Sequence, residues 1–305
     1  RDRLYKILQK RNKTYPQTVS EGFSLDYQYW FVDYHFLLRV VLKFVSVLIL
    51  KSKYMNTQAL IIGGSSGMGK ATAELLAKEG VELIIVGRND SNLKKVEREL
   101  SRLGTAKSFS VDLSDMDAVK SFASSLESFA PDLKYVLNAA GYFSPKPFLE
   151  HSEADYDVYH NFNKAFFFIN QAASRILIKN GGGSIVNIGS MWAKQAIKAT
   201  PSSAYSMAKA GLHSLTQHLA MELADNNIRV NAVSPAVVVT PIYGAFIEED
   251  KIEETLQGFN EFHPIGRVGR SEDIAKTIHF LLTVHSSWVS GGVWDIGGGV
   301  VGGRE

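Results

Sequence analysis

The sequence predicts an α/β fold in which one doubly wound, mostly parallel sheet of seven strands carries helices on both faces. From Met55 onward, short apolar runs alternate with longer stretches of amphipathic, helical pattern. This alternation is typical of βαβ units, whose strands pair in parallel. The composition supports a folded domain, because 45% of the residues are hydrophobic, 21% are charged and only 8 are proline.

Each strand is predicted from a short apolar run, and each helix from an amphipathic stretch between two such runs. Glycine-rich segments at 63–69, 181–183 and the carboxyl end are read as turns. The predicted strands lie at 59–62, 83–86, 108–111, 135–137, 184–188, 228–233 and 292–296. The predicted helices lie near 68–79, 91–103, 115–128, 153–180, 204–224 and 271–284.

Net charge and cysteine content exclude several classes of function. The chain of 305 residues has 33 Lys and Arg against 31 Asp and Glu, which is too even a balance for a typical nucleic-acid-binding domain. It has no cysteine, so disulfides, thiolate nucleophiles and cysteine-ligated metals are excluded. We therefore expect no nucleic-acid partner.

Residues 1–54 differ from the rest of the chain. They carry ten Lys and Arg against four Asp and Glu, and 11 of the 33 aromatic residues. We place a boundary near Met55, between a basic, aromatic-rich extension at 1–54 and the domain at 55–305. One interpretation is a dispensable extension or an over-long gene model. The other is a helix that lies on a membrane or a partner, since Arg39 and Lys43 interrupt the apolar stretch at 36–50 and share one helix face.

A glycine-rich turn follows the first predicted strand and opens the first predicted helix. Glycines let the backbone approach a pyrophosphate, and the free N–H groups and dipole of the helix favour its charge. The spacing is looser than the general G-x-G-x-x-G pattern. The position nevertheless predicts a dinucleotide site in a Rossmann-type domain. The turn reads Gly63-Gly64-Ser65-Ser66-Gly67-Met68-Gly69.

The residues after the second predicted strand bear on the choice of cofactor. NAD-binding domains usually carry Asp or Glu there, but this chain has Gly87 and Arg88. A guanidinium can bind the 2′-phosphate of NADP, which a carboxylate would repel. We therefore predict NADP(H) as the preferred cofactor, with NAD(H) left open. The alternative interpretation is a solvated arginine at a strand end.

Tyr205 and Lys209 are spaced by four residues in a predicted helix, which places both side chains on one face. A phenol has an ordinary pKa of ~10, and a neighbouring ammonium favours its ionised form. Ser190 follows a predicted strand and could hydrogen-bond a substrate oxygen near Tyr205. By itself the Tyr/Lys spacing is a weak signal, because such pairs commonly lie on a surface.

Together, these motifs resemble the classical short-chain dehydrogenase/reductase family over about residues 57–300. The family's T-G-x-x-x-G-x-G matches 62–69, its N-N-A-G matches 138–141, its Y-x-x-x-K matches 205–209 and its P-G-x-x-x-T matches 235–240. The resemblance implies hydride transfer between a nicotinamide cofactor and a carbonyl or alcohol.

The resemblance also implies roles for individual residues. Asp112 would contact adenine, Asn138 would brace the central strand, and Thr240 would hold the nicotinamide carboxamide. Lys209 would bind the nicotinamide ribose. The implied cofactor contacts are Gly63, Ser65, Ser66, Gly67, Met68, Gly69, Arg88, Asp112, Leu113, Asn138, Ala139, Lys209, Pro235, Val238 and Thr240.

Four positions depart from the family's pattern. Ile62 replaces a threonine whose hydroxyl ties the glycine loop to a neighbouring strand. Ala139 replaces the second asparagine, Ala236 the glycine after the proline, and Gly297 the aspartate of a C-terminal D-G-G. These changes concern the scaffold rather than proton transfer.

The family's fourth catalytic residue is an asparagine on the long helix, which orders a water for a proton relay through the lysine. Counting forward from 152–153 reaches Asn163, whereas counting back from 171–172 reaches Phe162, and Asn161 lies two residues from Asn163. We predict Asn163. The alternative is that both asparagines are polar residues of a buried helix.

The predicted function is an NADP(H)-dependent oxidoreductase that interconverts a carbonyl and an alcohol. Tyr205 would be the acid/base, Ser190 would position the oxygen, Lys209 would lower the Tyr205 pKa and Asn163 would connect the relay to solvent. A second possibility is 3-oxoacyl-carrier-protein reductase, which requires a basic docking surface. A third is a non-catalytic dinucleotide-binding sensor or assembly protein, which would not require the catalytic residues.

The segment after Thr240 is predicted to form a lid over a pocket for an apolar or aromatic small-molecule substrate. Ordinary packing would account for the same aromatic residues. The candidates are Ile242, Tyr243, Phe246, Ile247, Phe259 and Phe262, together with Tyr142, Phe143 and Trp192.

The remaining features predict neither a metal site nor a hydrolase. The histidines are scattered without metal-ligand spacing and are read as structural or surface residues, and Ser190 lacks the G-x-S-x-G context. The resemblance implies a homo-oligomer, a tetramer or dimer formed through the two long helices and the last strand. The absence of a convincing signal peptide, together with an intracellular cofactor, predicts a cytoplasmic location.

Overall fold

The structure is a computed structural model that describes residues 57–303 together with Leu38. Apart from Leu38, the extension predicted at 1–54 lies outside the described residues. The chain divides into two units, residues 1–49 and 50–305, and the features described below belong to the second.

Within residues 57–303, nine strands form two sheets. They are β1 (Gln58–Ile62), β2 (Glu82–Gly87), β3 (Ala106–Ser110), β4 (Leu133–Asn138), β5 (Gly183–Ile188), β6 (Ile228–Pro235), β7 (Val238–Val239), β8 (Gly269–Arg270) and β9 (Val293–Ile296). The main sheet has seven strands in the order β3-β2-β1-β4-β5-β6-β9, and all of its pairs are parallel. This confirms the predicted fold class. The short parallel pair of β7 and β8 was not predicted.

Seven α-helices lie among the strands in this described part of the chain. They are α1 (Gly67–Lys78), α2 (Asp90–Leu100), α3 (Met116–Phe129), α4 (Glu153–Lys179), α5 (Ser203–Glu222), α6 (Ile252–Gln257) and α7 (Ser271–Leu282). Short polar residues begin several of them. Asn89 caps α2, Asp115 caps α3, and Ser152 with Asp155 forms a capping box on α4.

The hydrophobic core consists of two clusters on opposite faces of the sheet. Alternate residues of a strand face opposite sides. Accordingly, Ala59 and Ile61 of β1 belong to one cluster, and Leu60 and Ile62 belong to the other. All five residues of β1 are buried. Burial on both faces is typical of a central strand in a parallel sheet, and it explains why these strands read as continuous apolar runs.

The order of the strands places a crevice at the carboxyl end of the sheet. The chain builds outward from β1 through β2 to β3 and then crosses to β4 on the other side of β1. Ligands of open α/β sheets bind at such a switch point, outside the carboxyl ends of the strands. The glycine-rich turn and the segment Asn138–Gly141 both start at this point.

The segment after Thr240, predicted to be a lid, consists of a 3₁₀ turn at Pro241–Ala245, a second at Glu249–Lys251, and then α6. Buried Ile252 and Leu256 of α6 join Val237 and Val268 in a small separate cluster. This packing attaches the segment to the loop that follows β6.

Candidate active site

Ser190, Tyr205 and Lys209 meet where β5 ends beside α5. Ser190 follows β5, and its hydroxyl accepts a hydrogen bond from the N–H of Trp192 at 3.3 Å. The Ser190 side chain also lies beside the Tyr205 hydroxyl, near enough to lower the pKa of Tyr205. Lys209 Nζ lies 5.7 Å from the centroid of the Tyr205 ring. The structure therefore brings together the three residues that the sequence predicted to be catalytic.

Burial determines the proton affinity of this group. It raises the pKa of Tyr205 to about 12, and the Ser190 side chain only partly offsets the increase. Burial also lowers the pKa of Lys209 to about 8. From the sequence, Lys209 is expected to lower the pKa of Tyr205. In this structure burial is the dominant influence on the Tyr205 pKa, because removal of both groups from water disfavours both charged forms.

Asn163 lies on α4 and faces α5. Its Nδ2 donates a hydrogen bond of 2.7 Å to the carbonyl oxygen of Ala208, the residue before Lys209. The same Nδ2 faces Gly211, where a Cβ atom would lie 3.4 Å from it. The structure thus places Asn163 against the turn of α5 that carries Lys209.

A buried network of amides and a hydroxyl joins β4 to β5, α4 and α5. Asn138 Nδ2 donates to Asn170 Oδ1 at 3.0 Å and to Asn187 Oδ1 at 2.6 Å. Asn187 Nδ2 donates to Thr216 Oγ1 at 2.9 Å. Sequence reasoning predicted that Asn138 braces the central strand but missed Asn170, Asn187 and Thr216. No local motif marks these three residues, since they are separated along the chain.

At two positions the glycine-rich turn lies too close to other backbone atoms for a side chain. A Cβ on Gly63 would lie 2.4 Å from the backbone nitrogen of Ala140, and one on Gly69 would lie 2.2 Å from the Gly63 carbonyl oxygen. Ser66 is the N-cap of α1 but makes no side-chain capping bond. The Ser66 side chain therefore does not occupy the first N–H groups of α1. N–H groups at such a helix start can bind a phosphate.

Backbone contacts support the turn despite the missing threonine hydroxyl at Ile62. The N–H of Ala139 donates to the Ile62 carbonyl at 2.7 Å, and the N–H of Gly63 donates to Val86 at 2.7 Å. Asn92 Nδ2 donates to the Ser65 carbonyl at 3.1 Å. Met68 packs against the core cluster that includes Ile61.

Arg88 and Asp112 flank the outer end of this crevice. Arg88 is exposed and forms no ion pair with another residue in the range 57–303. Asp112 accepts hydrogen bonds from the N–H and hydroxyl of Ser114, which lower its pKa, with a smaller contribution from the charge of Arg88. Leu113 is buried in the core. An exposed guanidinium beside the crevice fits a phosphate.

Thr240 lies opposite the glycine-rich turn. Its side chain is 3.4 Å from the position that a Cβ on Gly67 would occupy. Pro235 ends β6, and Val238 is buried in β7. His263 holds the intervening loop, since its Nε2 accepts from the N–H of Val237 at 3.3 Å. The residues predicted to contact a nicotinamide thus lie across the crevice from those predicted to contact the pyrophosphate.

A cavity of about 490 Å³ opens beside Ser190 and Tyr205. The Phe143 ring lies 4.9 Å from the Tyr205 ring and 6.0 Å from that of Phe246, centroid to centroid. None of the described residues that line the cavity is charged. Its lining consists of Phe143, Pro145, Ser190, Trp192, Ala199, Thr200, Pro201, Tyr205, Ala236, Val237, Ile242, Tyr243, Phe246, Ile247, Thr255, Leu256 and Phe259.

Seven of the nine predicted pocket residues line this cavity. Tyr142 and Phe262 do not. Tyr142 is exposed and packs near Tyr159, and Phe262 packs against His263. Sequence reasoning missed the loop at 199–201, because nothing in its sequence shows that it lines the same cavity as Ser190.

Comparison with known proteins identifies the family. A family model described as "Enoyl-(Acyl carrier protein) reductase" matches residues 63–301. The 3-oxoacyl-[acyl-carrier-protein] reductase of Thermotoga maritima is 34% identical over 245 residues, covering 79% of this chain and 96% of that protein. Cyclohexanol dehydrogenase of an Acinetobacter species is 34% identical over 259 residues, covering 82% and 97%.

Solved structures show the same fold. L-sorbose reductase from Gluconobacter frateurii, crystallised with NADPH and L-sorbose, matches with a TM-score of 0.75 and 26% identity, over 81% of this chain and 97% of that one. A short-chain type dehydrogenase/reductase from Mycobacterium marinum matches with a TM-score of 0.73 and 27% identity, over 80% and 95%.

Among the helices within residues 57–303, none has the length and apolar character needed to span a bilayer. The crevice at the switch point, the Ser190, Tyr205 and Lys209 group and the match over residues 63–301 lead to one assignment. The chain belongs to the short-chain dehydrogenase/reductase family and is an oxidoreductase that interconverts carbonyl and alcohol groups with a nicotinamide dinucleotide.

Proposed function

We propose that this protein reduces an apolar carbonyl compound with NADPH, or oxidises the corresponding alcohol with NADP⁺, and that Tyr205 is the acid/base. The observation that carries the proposal is the contact between Ser190 and Tyr205 at one wall of an uncharged, aromatic cavity. The cofactor, when bound, supplies or accepts the hydride at the substrate carbon.

The residues of the chain handle the substrate oxygen and the proton. Ser190 and Tyr205 both face the cavity, so their hydroxyls can hold one substrate oxygen between them. In reduction, the Tyr205 hydroxyl gives its proton to the oxygen as the carbon receives the hydride, and an alcohol leaves. In oxidation, the Tyr205 phenolate takes the hydroxyl proton. Lys209 stabilises that phenolate and binds the nicotinamide ribose.

Asn163 is proposed to maintain the position of Lys209. Its bond to the Ala208 carbonyl fixes the turn of α5 that carries the lysine. A proton relay to solvent through Asn163 and Lys209 would return Tyr205 to its starting state.

NADPH is the preferred cofactor in this proposal. Exposed Arg88 follows the strand β2, where a carboxylate would be expected for NAD, and it has no ion-pair partner within 57–303. The crystallised relative from Gluconobacter frateurii was solved with NADPH. The glycines at 63 and 69 let the turn pack closely against Ala140 and against its own backbone, which holds the start of α1 beside the crevice where a pyrophosphate would bind.

The lining of the cavity favours an apolar substrate of moderate size. A cavity of about 490 Å³ without charged side chains suits a ketone with an aromatic or alicyclic body. A phosphorylated or carboxylated substrate would leave its charge unpaired there.

Reduction of a 3-oxoacyl group on a carrier protein is the second candidate. The resemblance to the Thermotoga maritima enzyme favours it. The segment that borders the cavity opposes it, because Glu248, Glu249 and Asp250 are exposed there and would repel an acidic carrier. A non-catalytic dinucleotide-binding role is the third, and measured turnover of any ketone would exclude it.

We further propose a homo-oligomer, a dimer or tetramer, in the cytoplasm. Apolar side chains are exposed on α4 and α5, among them Phe167, Phe168 and Met221, and such surfaces commonly pack against a second copy. Trp294 of β9 is also partly exposed. The cytoplasm supplies the proposed cofactor.

The test is a titration of the full-length chain with NADPH and with NADH, followed by nicotinamide fluorescence. We expect NADPH to bind at least ~10-fold more tightly than NADH, and Arg88→Ala to remove that difference, since charge-assisted bonds contribute ~1.5–3 kcal/mol each. Arg102→Ala, at another exposed arginine, is the matched control. Equal affinity for both cofactors in the unmodified chain would refute the preference.

A second assay tests turnover. The full-length chain should oxidise NADPH in the presence of cyclohexanone or acetophenone, and Tyr205→Phe should abolish this activity while retaining cofactor binding. Tyr156→Phe, at a partly exposed tyrosine of α4, should leave it unchanged. Absence of turnover with every ketone tested, despite tight NADPH binding, would favour the non-catalytic role.

A further inference from the structure

Three consecutive residues at the end of β5 each contact α5. The two outer contacts belong to the site described above, but the middle contact has no part in the proposed chemistry. The α5 residues of the three contacts recur every fourth position and so form one stripe along the helix. The three contacts are Ile188 with Lys209, Gly189 with His213, and Ser190 with Tyr205.

The middle contact is too close for any residue except glycine at position 189. A Cβ on Gly189 would lie 1.9 Å from Nε2 and 2.5 Å from Cδ2 of His213. Both distances are shorter than van der Waals contact. The His213 ring therefore occupies the space that a side chain at 189 would fill.

The ring of His213 is enclosed. Its residue is 8% exposed, and its Nε2 is buried without a hydrogen-bond partner among the described residues. Burial, together with the positive charges of Lys194 and Lys209, lowers the pKa of His213 to about 4, while Asp295 opposes them. The ring is therefore neutral near pH 7 and presents Nε2 to the backbone of Gly189.

We propose that His213 is a positioning residue for Ser190, and that its ring and the missing side chain of Gly189 form a matched pair. The ring packs against the Gly189–Ser190 peptide and fixes the position of that peptide. In this position the Ser190 hydroxyl lies beside the Tyr205 hydroxyl. This inference rests on the catalytic roles proposed above for Ser190 and Tyr205.

The mechanical reasoning concerns a single peptide unit. The peptide plane is rigid, so a displacement of Gly189 moves the start of Ser190 with it. A methyl group at position 189 would push the backbone away from the ring. Removal of the ring at position 213 would let the backbone move into the space that the ring had filled. Misplacement of a reacting group by about 1 Å can reduce a rate ~100-fold.

The experiment is a set of variants of the full-length protein, assayed for kcat, for KM of the ketone and for NADPH affinity. We expect Gly189→Ala to lower kcat at least ~10-fold while NADPH affinity stays within about twofold, because the proposed pyrophosphate and adenosine contacts lie at the glycine-rich turn, Arg88 and Asp112. His213→Ala should lower kcat less, about threefold. The double variant should recover the activity of His213→Ala, because the methyl group then has room.

A matched control separates positioning from general disturbance of the strand. A Cβ on Gly183, at the other end of β5, would lie 2.5 Å from the Lys134 carbonyl oxygen. Gly183→Ala should lower the thermal midpoint but leave kcat of the folded fraction unchanged. Adding His213→Ala to this variant should not restore the thermal midpoint.

A second cycle tests whether the effect passes through Ser190. Ser190→Ala should lower kcat at least ~100-fold in the unmodified chain but only a few-fold in the Gly189→Ala background, where the hydroxyl is already misplaced. This readout holds even where Gly189→Ala reduces the folded yield, since both variants share the same background.

The outcomes distinguish the inference from the proposed function. Unchanged kcat in Gly189→Ala, or a loss that His213→Ala does not relieve, would overturn the pairing. Equal fold-losses from Ser190→Ala in both backgrounds would also overturn it. Full activity of Ser190→Ala in the unmodified chain would instead overturn the proposed catalytic site.

Discussion

Lys209 Nζ donates a hydrogen bond of 2.7 Å to the carbonyl oxygen of Ile188, the last residue of β5 and two residues before Ser190. This bond ties the ammonium of α5 to the end of β5, beside the pair formed by Ser190 and Tyr205. The position of the positive charge is thus set by the backbone of the sheet. Burial of the ammonium costs desolvation free energy.

Replacing Lys209 with Met should reduce activity and leave the fold intact. We expect kcat to fall at least ~100-fold, because the phenolate of Tyr205 loses its neighbouring charge. The free energy of unfolding should stay the same or increase by ~1–3 kcal/mol, because the desolvation of a buried ammonium is removed. Kinetics with NADPH and denaturant unfolding measure both quantities. Lys276→Met, at an exposed position of α7, should change neither. Strong destabilisation by Lys209→Met would contradict this explanation.

The two directions of the reaction should depend differently on pH. The raised pKa of Tyr205, about 12, keeps the phenol protonated through neutral pH. Reduction needs the phenol and should therefore vary little from pH 6 to 7.5 (about a factor of two), below the Lys209 pKa of about 8, whereas oxidation needs the phenolate and should accelerate ~10-fold per pH unit. Initial rates at saturating cofactor, measured both ways over this range, test the prediction. An oxidation rate that is already constant above pH 7 would refute it.

His213 should make the protein less stable in mild acid. Its pKa is about 4 in the folded chain against an ordinary value of 6.5, so the unfolded chain binds a proton first as the pH falls. Stability should be complete above pH 6.5 and decrease between 6.5 and 4, by up to ~3 kcal/mol. Urea unfolding at several pH values should show a smaller decrease in His213→Gln. Parallel pH curves for the two proteins would argue against a buried, neutral histidine.

Arg229 should contribute to stability but not to catalysis. Its Nη1 donates to the carbonyl of Leu281 at 2.8 Å and to Ser286 Oγ at 2.7 Å, and its Nη2 donates to the carbonyls of Leu282 and Thr283 at 3.1 and 3.0 Å. These carbonyls end α7 and lack helical partners. Arg229→Met should destabilise the protein by ~2–4 kcal/mol.

The controls for Arg229 follow from its geometry. Arg229→Lys should recover little of the loss, because an ammonium cannot reproduce the planar fork. Arg175→Met, at an exposed position of α4, should be nearly neutral. Turnover of the folded Arg229→Met protein should equal that of the parent, and a large decrease would show that the end of α7 affects the site.

Shortening the cavity wall should change the preference for substrates. Phe246 lines the cavity and packs on Phe143. Phe246→Ala should raise KM for acetophenone ~10-fold and leave KM for acetone nearly unchanged, since only the larger ketone reaches that wall. Phe148→Ala, at an exposed aromatic outside the cavity, is the matched control. An equal increase for both ketones would show that the substrate does not reach Phe246.

The strand and helix pattern of the domain was predictable because both faces of the central strands are buried. Residues such as Leu60 and Ile61 give continuous apolar runs, and the helices between them carry one apolar face. The boundaries were less predictable. The third strand covers Ala106–Ser110 rather than 108–111, since polar Lys107 and Ser108 lie in an edge strand whose apolar pattern is weak.

Motifs located the candidate site but not its packing. Ser190, Tyr205 and Lys209 were found from local spacing, yet the contact of Gly189 with His213 joins residues that no motif connects. The direction of the Tyr205 pKa also depended on burial, which spacing does not report. The side of α4 that Asn163 faces became evident only from its bond to Ala208.

The proximity of Thr240 to Gly67 has a consequence for how the chain folds. The first turn of the domain is completed by a residue that follows five of the seven helices, so its two halves are far apart along the chain. Closing so long a loop is slow compared with forming a local βα unit. During synthesis, the dinucleotide crevice would stay incomplete until Thr240 has been made and is free to fold. The cofactor should therefore bind only to molecules that have completed the fold, and its binding should stabilise those molecules alone.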